Sequence, residues 1–109
     1  MKVRPAHTAW ALRSDRILAC LCLQPVAHGY WLTSLFVEPD SRRTGLAGTL
    51  VSAACATIDG PIWLFCHPDL EALYHKQGFV RTPSLPEPLV AKLRRYQQTK
   101  ELIAMCRGQ

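Results

Sequence analysis

"VEPDSRRTGLAGTL", residues 37–50, decides how this sequence is read. It follows the apolar run YWLTSLFV (residues 30–37) and enters a stretch where Leu46, Leu50, Val51, Ala54 and Ile58 recur every three to four residues. The hydrophobic period therefore changes from that of a strand to that of a helix inside this segment. A chain that leaves a strand and turns tightly into a helix exposes backbone N–H groups that have no partner in the first helical turn, and the helix dipole makes them attractive to anions. Gly45 lets a ligand approach that backbone closely, and Ala47 nearly so. Arg42 and Arg43 add forked cationic donors that suit phosphate oxygens. The loop suits a pyrophosphate, but two familiar phosphate loops are excluded. The chain has no G-x-x-x-x-G-K-S/T, and no G-x-G-x-x-G with an acidic residue about twenty positions later.

Outward from this loop the sequence reads as one domain, residues 1–109. The chain is long enough to bury one sizeable core. Hydrophobic residues at 49% and charged residues at 19% place it with soluble globular proteins rather than disordered ones. No run approaches the roughly 18 apolar residues of a membrane span, and Met1–Trp10 lacks the pattern of an export signal, so the expected location is cytoplasmic. Five cysteines without a C-x-x-C pair suggest neither a disulfide framework nor a zinc ribbon, and they read as small buried hydrophobes. The net charge of +5 favours an anionic partner. Lys92, Arg94, Arg95 and Lys100 lie close together on an expected surface helix, and a nucleic-acid-binding face is one reading of them. Against it, only Tyr96 offers a ring for stacking and no nucleic-acid motif is present.

The first half predicts a strand meander. HTAWALR and RILACLCL flank a turn at Ser14-Asp15, and YWLTSLFV follows Pro25 and His28-Gly29. In that third strand Trp31, Thr33, Leu35 and Val37 alternate with Leu32, Ser34 and Phe36, and both sets are largely apolar, which predicts a central strand covered on both faces. A helix is expected from Gly45 to Ile58, then a short buried strand PIWLFC. HPDLEALYHKQGF predicts a second helix with Pro68 at its start, Leu70, Leu73, Tyr74 and Gln77 on one side, and Gly78 as its left-handed stop. A short strand at Phe79–Arg81, a third helix announced by the capping-box spacing Ser84–Glu87, and a final strand ELIAMCR complete the order β-β-β-α-β-α-β-α-β. An α/β chain with a mixed sheet and helices packed over it buries all these faces.

Two motifs then carry a resemblance. Arg42-Arg43-Thr44-Gly45-Leu46-Ala47, after Leu35-Phe36-Val37-Glu38-Pro39, resembles motif A of the GNAT superfamily of acyl-CoA-dependent N-acyltransferases, whose signature is R/Q-x-x-G-x-G/A after a strand ending L-x-V-x-P. LYHKQGF, residues 73–79, resembles the family's Y-x-x-x-G-F. The resemblance covers roughly His7 to Arg107 and is strong from Trp31 to Phe79.

The resemblance implies a GNAT-like fold and acetyl-CoA as cosubstrate, with no metal. The third strand would carry a bulge and splay from the strand at residues 62–66, the N–H groups of Phe36 and Val37 would pair with the pantetheine arm, and the backbone from Arg42 through Arg43, Thr44, Gly45, Leu46, Ala47 and Gly48 to Thr49 would form the pyrophosphate site. An amine of a small molecule or protein would attack the thioester directly. Tyr74 would donate the proton to the departing sulfur; periodicity alone favours a core tyrosine there, and the family match reverses that. No acidic residue lies within the central strand, Glu38 falling just outside it, so His67 is the candidate base, although a histidine at a helix start also reads as a cap. The spacing of Cys66, His67 and His75 matches no common metal pattern. Only Met1–Ala6 precede the first expected strand, which is short for the family. An open acceptor site, completion by a second subunit such as a homodimer partner, or a non-catalytic acyl-CoA sensor all follow from that shortness.

Overall fold

Residues 8–13, 15–42 and 45–108, described by a computed structural model, follow the element order expected from the sequence. Strands β1 (Thr8–Arg13), β2 (Ile17–Val26) and β3 (Gly29–Val37) form an antiparallel meander. Helix α1 (Leu46–Cys55) leads to β4 (Ile62–Cys66), helix α2 (Glu71–Lys76) to β5 (Val80–Arg81), and helix α3 (Glu87–Gln97) to β6 (Ile103–Arg107). They make a mixed sheet of order β1-β2-β3-β4-β6-β5, in which β3 and β4 run parallel and the other described neighbours antiparallel. Leu50, Val51 and Ala54 of α1 and Tyr74 of α2 pack with Leu21, Leu23, Leu64 and Met105 on one face. Leu89 of α3 packs with Trp31, Trp63 and Cys106 on the other. Helices therefore lie on both faces, which is why neighbouring residues Trp31 and Leu32 are both buried.

Strand β2 continues through Pro25, where the sequence suggests a break. Tyr30, its partner, directs its N–H to the Pro61 carbonyl at 3.0 Å, so Pro25 sits at a pair where no ladder bond is asked of it. Strand β3 carries the bulge that the resemblance implies, and it overturns the alternation read from the sequence. Cys22 pairs with Thr33 but Cys20 pairs with Phe36, so β3 carries an extra residue around Ser34, whose φ is +60°. The extra residue reverses the alternation. Leu35 and Val37 face the α1 side with Leu32, whereas Trp31 faces α3, so the set Trp31, Thr33, Leu35 and Val37 does not share one face.

Helix α3 begins at Glu87 with Pro86 as its cap, not at Ser84. A helix capped by Ser84 would place Leu85 in the α region directly before a proline, which the proline ring disfavours. The Ser84 N–H bonds instead to Thr82 Oγ1 at 3.1 Å. Helix α2 ends as expected at Gly78, with φ +91°. The Phe79 and Gly78 N–H groups return to the carbonyls of Tyr74 and His75 at 3.1 and 3.0 Å, and the Tyr74 and Phe79 rings meet edge to face at 5.9 Å. From β6, Arg107 donates to the Gln77 carbonyl at 3.1 Å and the Cys55 carbonyl at 3.3 Å. One guanidinium thus satisfies the carbonyl-rich ends of both α1 and α2.

Candidate active site

The parallel pairing of β3 with β4 extends only over Tyr30–Ile62 and Trp31–Trp63. Beyond Trp31 the bulge turns β3 away, and a gap opens between the strands. Register decides which groups face it. The Glu38 N–H bonds to the Leu18 carbonyl at 2.8 Å, making Leu18–Glu38, and two residues on Cys20–Phe36, the hydrogen-bonded pairs with β2. Val37 between them therefore directs its N–H and carbonyl toward the gap, while the Phe36 N–H faces β2. Of the two donors expected from the sequence, Val37 has the required direction. Phe36 contributes an exposed ring at the mouth instead.

The gap opens at that mouth onto a cavity of about 540 Å³, lined by Phe36, Val37, Arg42 and the start of α1, Gly45 to Gly48. Arg42 Nε donates to the Val37 carbonyl at 3.1 Å, which anchors the loop to the strand end and leaves the rest of the guanidinium at the cavity. Gly45 has φ +85°, and a Cβ there would meet no atom within 4 Å among the described residues beyond its chain neighbours, which leaves space beside this backbone for a ligand. The first helical bond runs from the Thr49 N–H to the Gly45 carbonyl at 3.0 Å. Leu46, Ala47 and Gly48 consequently have N–H groups without a backbone partner among the described residues, as the first turn of a helix does. Thr49 does not: its N–H and its Oγ1, at 3.1 Å, both donate to the Gly45 carbonyl. Gly48 has a packing role as well, because a Cβ there would lie 2.9 Å from Nε2 of Gln77, whose Oε1 accepts from Ser52 at 2.6 Å. Arg43 and Thr44 lie outside the described residues.

A second cavity, of about 320 Å³, occupies the gap itself and shares Leu35 and Leu70 as walls with the first. Tyr74 lines it. Burial, reinforced by the neighbouring Cys66, pushes the Tyr74 pKa up to about 12, so its hydroxyl stays protonated through neutral and moderately alkaline pH. Among the described residues that hydroxyl has no hydrogen-bond partner. Cys66 lies on the same wall, and burial raises its thiol to about 11, which keeps it un-ionised and a poor nucleophile.

His67 also lines this cavity, at the start of the turn that leads into α2. Its Nδ1 accepts the Asp69 N–H at 3.1 Å, and its Nε2 lies 3.5 Å from a Glu101 carboxylate oxygen. With Nδ1 held as an acceptor, the neutral ring carries its proton on Nε2. Glu38 is engaged elsewhere, accepting the Asp40 N–H at 3.2 Å and lying 3.3 Å from Arg16. Among the described residues there is no group of three or more His, Cys, Asp or Glu side chains able to hold a metal ion, and no helix long and apolar enough to cross a membrane.

Several cavity residues escaped the sequence reading. Leu70 was expected on the buried side of α2 but is 43% exposed at the opening, and Trp31, Phe65, Tyr96 and Lys100 form a wall beside α3. Three of the basic residues at and beyond α3 lie by these rings or this cavity. Lys92 Nζ lies 5.3 Å from the Trp31 ring centroid, the Arg95 guanidinium lies 5.6 Å from that of Tyr96, and Lys100 borders the cavity. No sequence signal joins Trp31 to Lys100.

A mixed sheet that splays between two parallel strands, with a helix N-terminus at the mouth, defines the acyltransferase class of fold. The chain belongs to the GNAT acetyltransferases: the model of the acetyltransferase (GNAT) domain matches residues 5–81. Its fold is similar to that of Escherichia coli ElaA, at 16% identity and a TM-score of 0.71 over 93% of this chain and 68% of that one. It is similar to N-acetylglutamate synthase from Neisseria gonorrhoeae, solved with coenzyme A and N-acetyl-glutamate, at 16% identity and a TM-score of 0.71. That match covers 89% of this chain and 24% of the synthase. PaiA N-acetyltransferase from Thermoplasma acidophilum, in complex with coenzyme A, is similar at 15% identity and a TM-score of 0.65 over 94% of this chain and 60% of that one. No curated protein matches the chain by sequence.

Proposed function

We propose that this chain transfers an acyl group, acetyl first, from coenzyme A to an amine by direct attack. The observation that carries this reading is that two neighbouring cavities at the β3–β4 gap share Leu35 and Leu70 as walls, one lined by the start of α1 and the other by Tyr74. The N–H groups of Leu46, Ala47 and Gly48, with the Arg42 guanidinium, would hold the pyrophosphate. The Val37 N–H would hold an amide of the pantetheine arm in the manner of an added strand. The thioester then reaches the gap beside Tyr74. Placing both reactants in one cleft lowers the entropic part of the barrier. As the amine forms its bond to the carbonyl carbon and the C–S bond breaks, Tyr74 donates to the sulfur, and the proton lost by the amine leaves through the open mouth.

Calorimetric titration with acetyl-CoA tests the reading. The natural protein is expected to bind, and Gly45→Glu, which puts a carboxylate where the pyrophosphate would lie, to bind about 100-fold more weakly, or about 2.7 kcal/mol. Gly45→Asn, which tolerates the left-handed conformation without adding charge, separates repulsion from backbone strain. No binding by the natural protein sinks the reading. Binding without thiol release in the presence of any amine would leave an acyl-CoA sensor.

The base assigned to His67 has a specific test. Asparagine is a good helix cap and cannot titrate near neutrality. If the cap is what the site needs from residue 67, His67→Asn retains kcat within about twofold and leaves the pH–rate profile unchanged, whereas loss of a limb in the range where histidine titrates establishes it as the base.

A further inference from the structure

The cavity beside Tyr74 passes through the sheet to the α3 side, where an aromatic wall and a cation bound it. Trp31 and Phe65 have ring centroids 5.6 Å apart, and Phe65 and Tyr96 6.3 Å apart, so three rings from β3, β4 and α3 form one continuous apolar surface. Lys100, just beyond α3, lines the same cavity. Lys100 has no ion-pair partner among the described residues, while the carboxylates of Asp69 and Glu101 lie 3.5 Å from nitrogens of His67, another lining residue. Lys92 and Arg95 sit over the Trp31 and Tyr96 rings and add to the positive potential on this side. A cavity of about 320 Å³ is at the small end of the roughly 300–1,000 Å³ range of ligand pockets, which suits a small molecule better than a folded protein surface.

We propose that the acceptor is a small amine that carries a carboxylate and an apolar body, with Lys100 binding the carboxylate and the Trp31–Phe65–Tyr96 wall receiving the body. This assignment rests on the acyl-transfer reading, since it treats the gap as the place where amine and thioester meet. The polarity of the site orients such a molecule. Its carboxylate goes to the Lys100 side, where ammonium and carboxylate form a charge-assisted hydrogen bond. Its amine goes toward Tyr74 and the thioester. An acceptor lacking the carboxylate would leave Lys100 as it is and lose the orienting contact, not the apolar one.

The test compares acids with their carboxamides, which keep the amine and the body and remove the charge. L-leucine and L-phenylalanine, each beside its carboxamide, are titrated calorimetrically into the protein saturated with coenzyme A, where no turnover occurs. The acids are expected to bind about tenfold more tightly, a difference of about 1.4 kcal/mol. Lys100→Met, which keeps the side-chain length, should bring each acid to within about twofold of its amide, and Lys100→Arg should restore the preference. Equal binding of acid and amide to the natural protein, no binding of either to a protein that binds coenzyme A, or a preference that survives in Lys100→Met each overturns this assignment alone. Failure of acetyl-CoA to bind in the preceding titration overturns the acyl-transfer reading, and this assignment with it.

Discussion

Tyr74→Phe is expected to lower kcat by about 10²–10⁴-fold, the usual contribution of a positioned general acid, while leaving the affinity for acetyl-CoA within a factor of about two. The substitution removes one oxygen and keeps the ring that packs edge to face on Phe79, so the end of α2 and the core beneath it should survive. If the hydroxyl acts as the C–S bond breaks, as proposed, kcat and kcat/KM fall together. Thiol release under saturating acetyl-CoA measures this directly, and an unchanged kcat with the best acceptor found would remove Tyr74 from the mechanism. The pKa adds a second signature. Folding holds the Tyr74 proton from the ordinary value of 10.0 up to about 12, so its contribution to stability is fully present below pH 10 and is lost as pH rises from about 10 to 12. The phenylalanine variant lacks that alkaline decline in stability.

Gly29→Ala is expected to cost about 3 kcal/mol of stability, the upper part of the range for overpacking a close-packed site. A Cβ at this position would press into the Pro61 carbonyl oxygen and lie 2.7 Å from the Trp63 ring. That carbonyl is not free to move, because it accepts the Tyr30 N–H at 3.0 Å at the point where β3 and β4 begin their short parallel pairing. Everything above this junction, including the gap, depends on how the two strands are held here. Thermal unfolding should show a Tm lower by roughly 10–20 °C. A Tm within a few degrees of the natural protein would mean that the β3–β4 junction yields, and that the gap is set by the bulge at Ser34 alone.

What could be read in the sequence was what depends on near neighbours along the chain. The element order follows from the switch between period two and period 3.6 around Pro39, and the stop of α2 follows from Gly78, where a left-handed residue is needed. The loop of residues 37–50 carried both the family motif and the physical reason for it, since the free N–H groups of a helix start depend on local backbone geometry alone. Local patterns misled where two of them competed, as at Ser84, where the capping-box spacing ignored Pro86, and at Pro25, which a strand tolerates because its partner's N–H points elsewhere.

Only the tertiary structure decided which of Phe36 and Val37 faces the gap, because one extra residue near Ser34 inverts the alternation and a bulge leaves no periodic trace in a strand apolar on both faces. It alone committed the Nδ1 atom of His67 to a cap and the Thr49 donors to the Gly45 carbonyl. It also drew Trp31, Phe65 and Tyr96, from three separate elements, and Lys100, from the connection after α3, around one cavity. Such a wall comes from packing a helix across a sheet, and contacts between residues far apart in the chain are fixed by the whole fold rather than by any spacing within it.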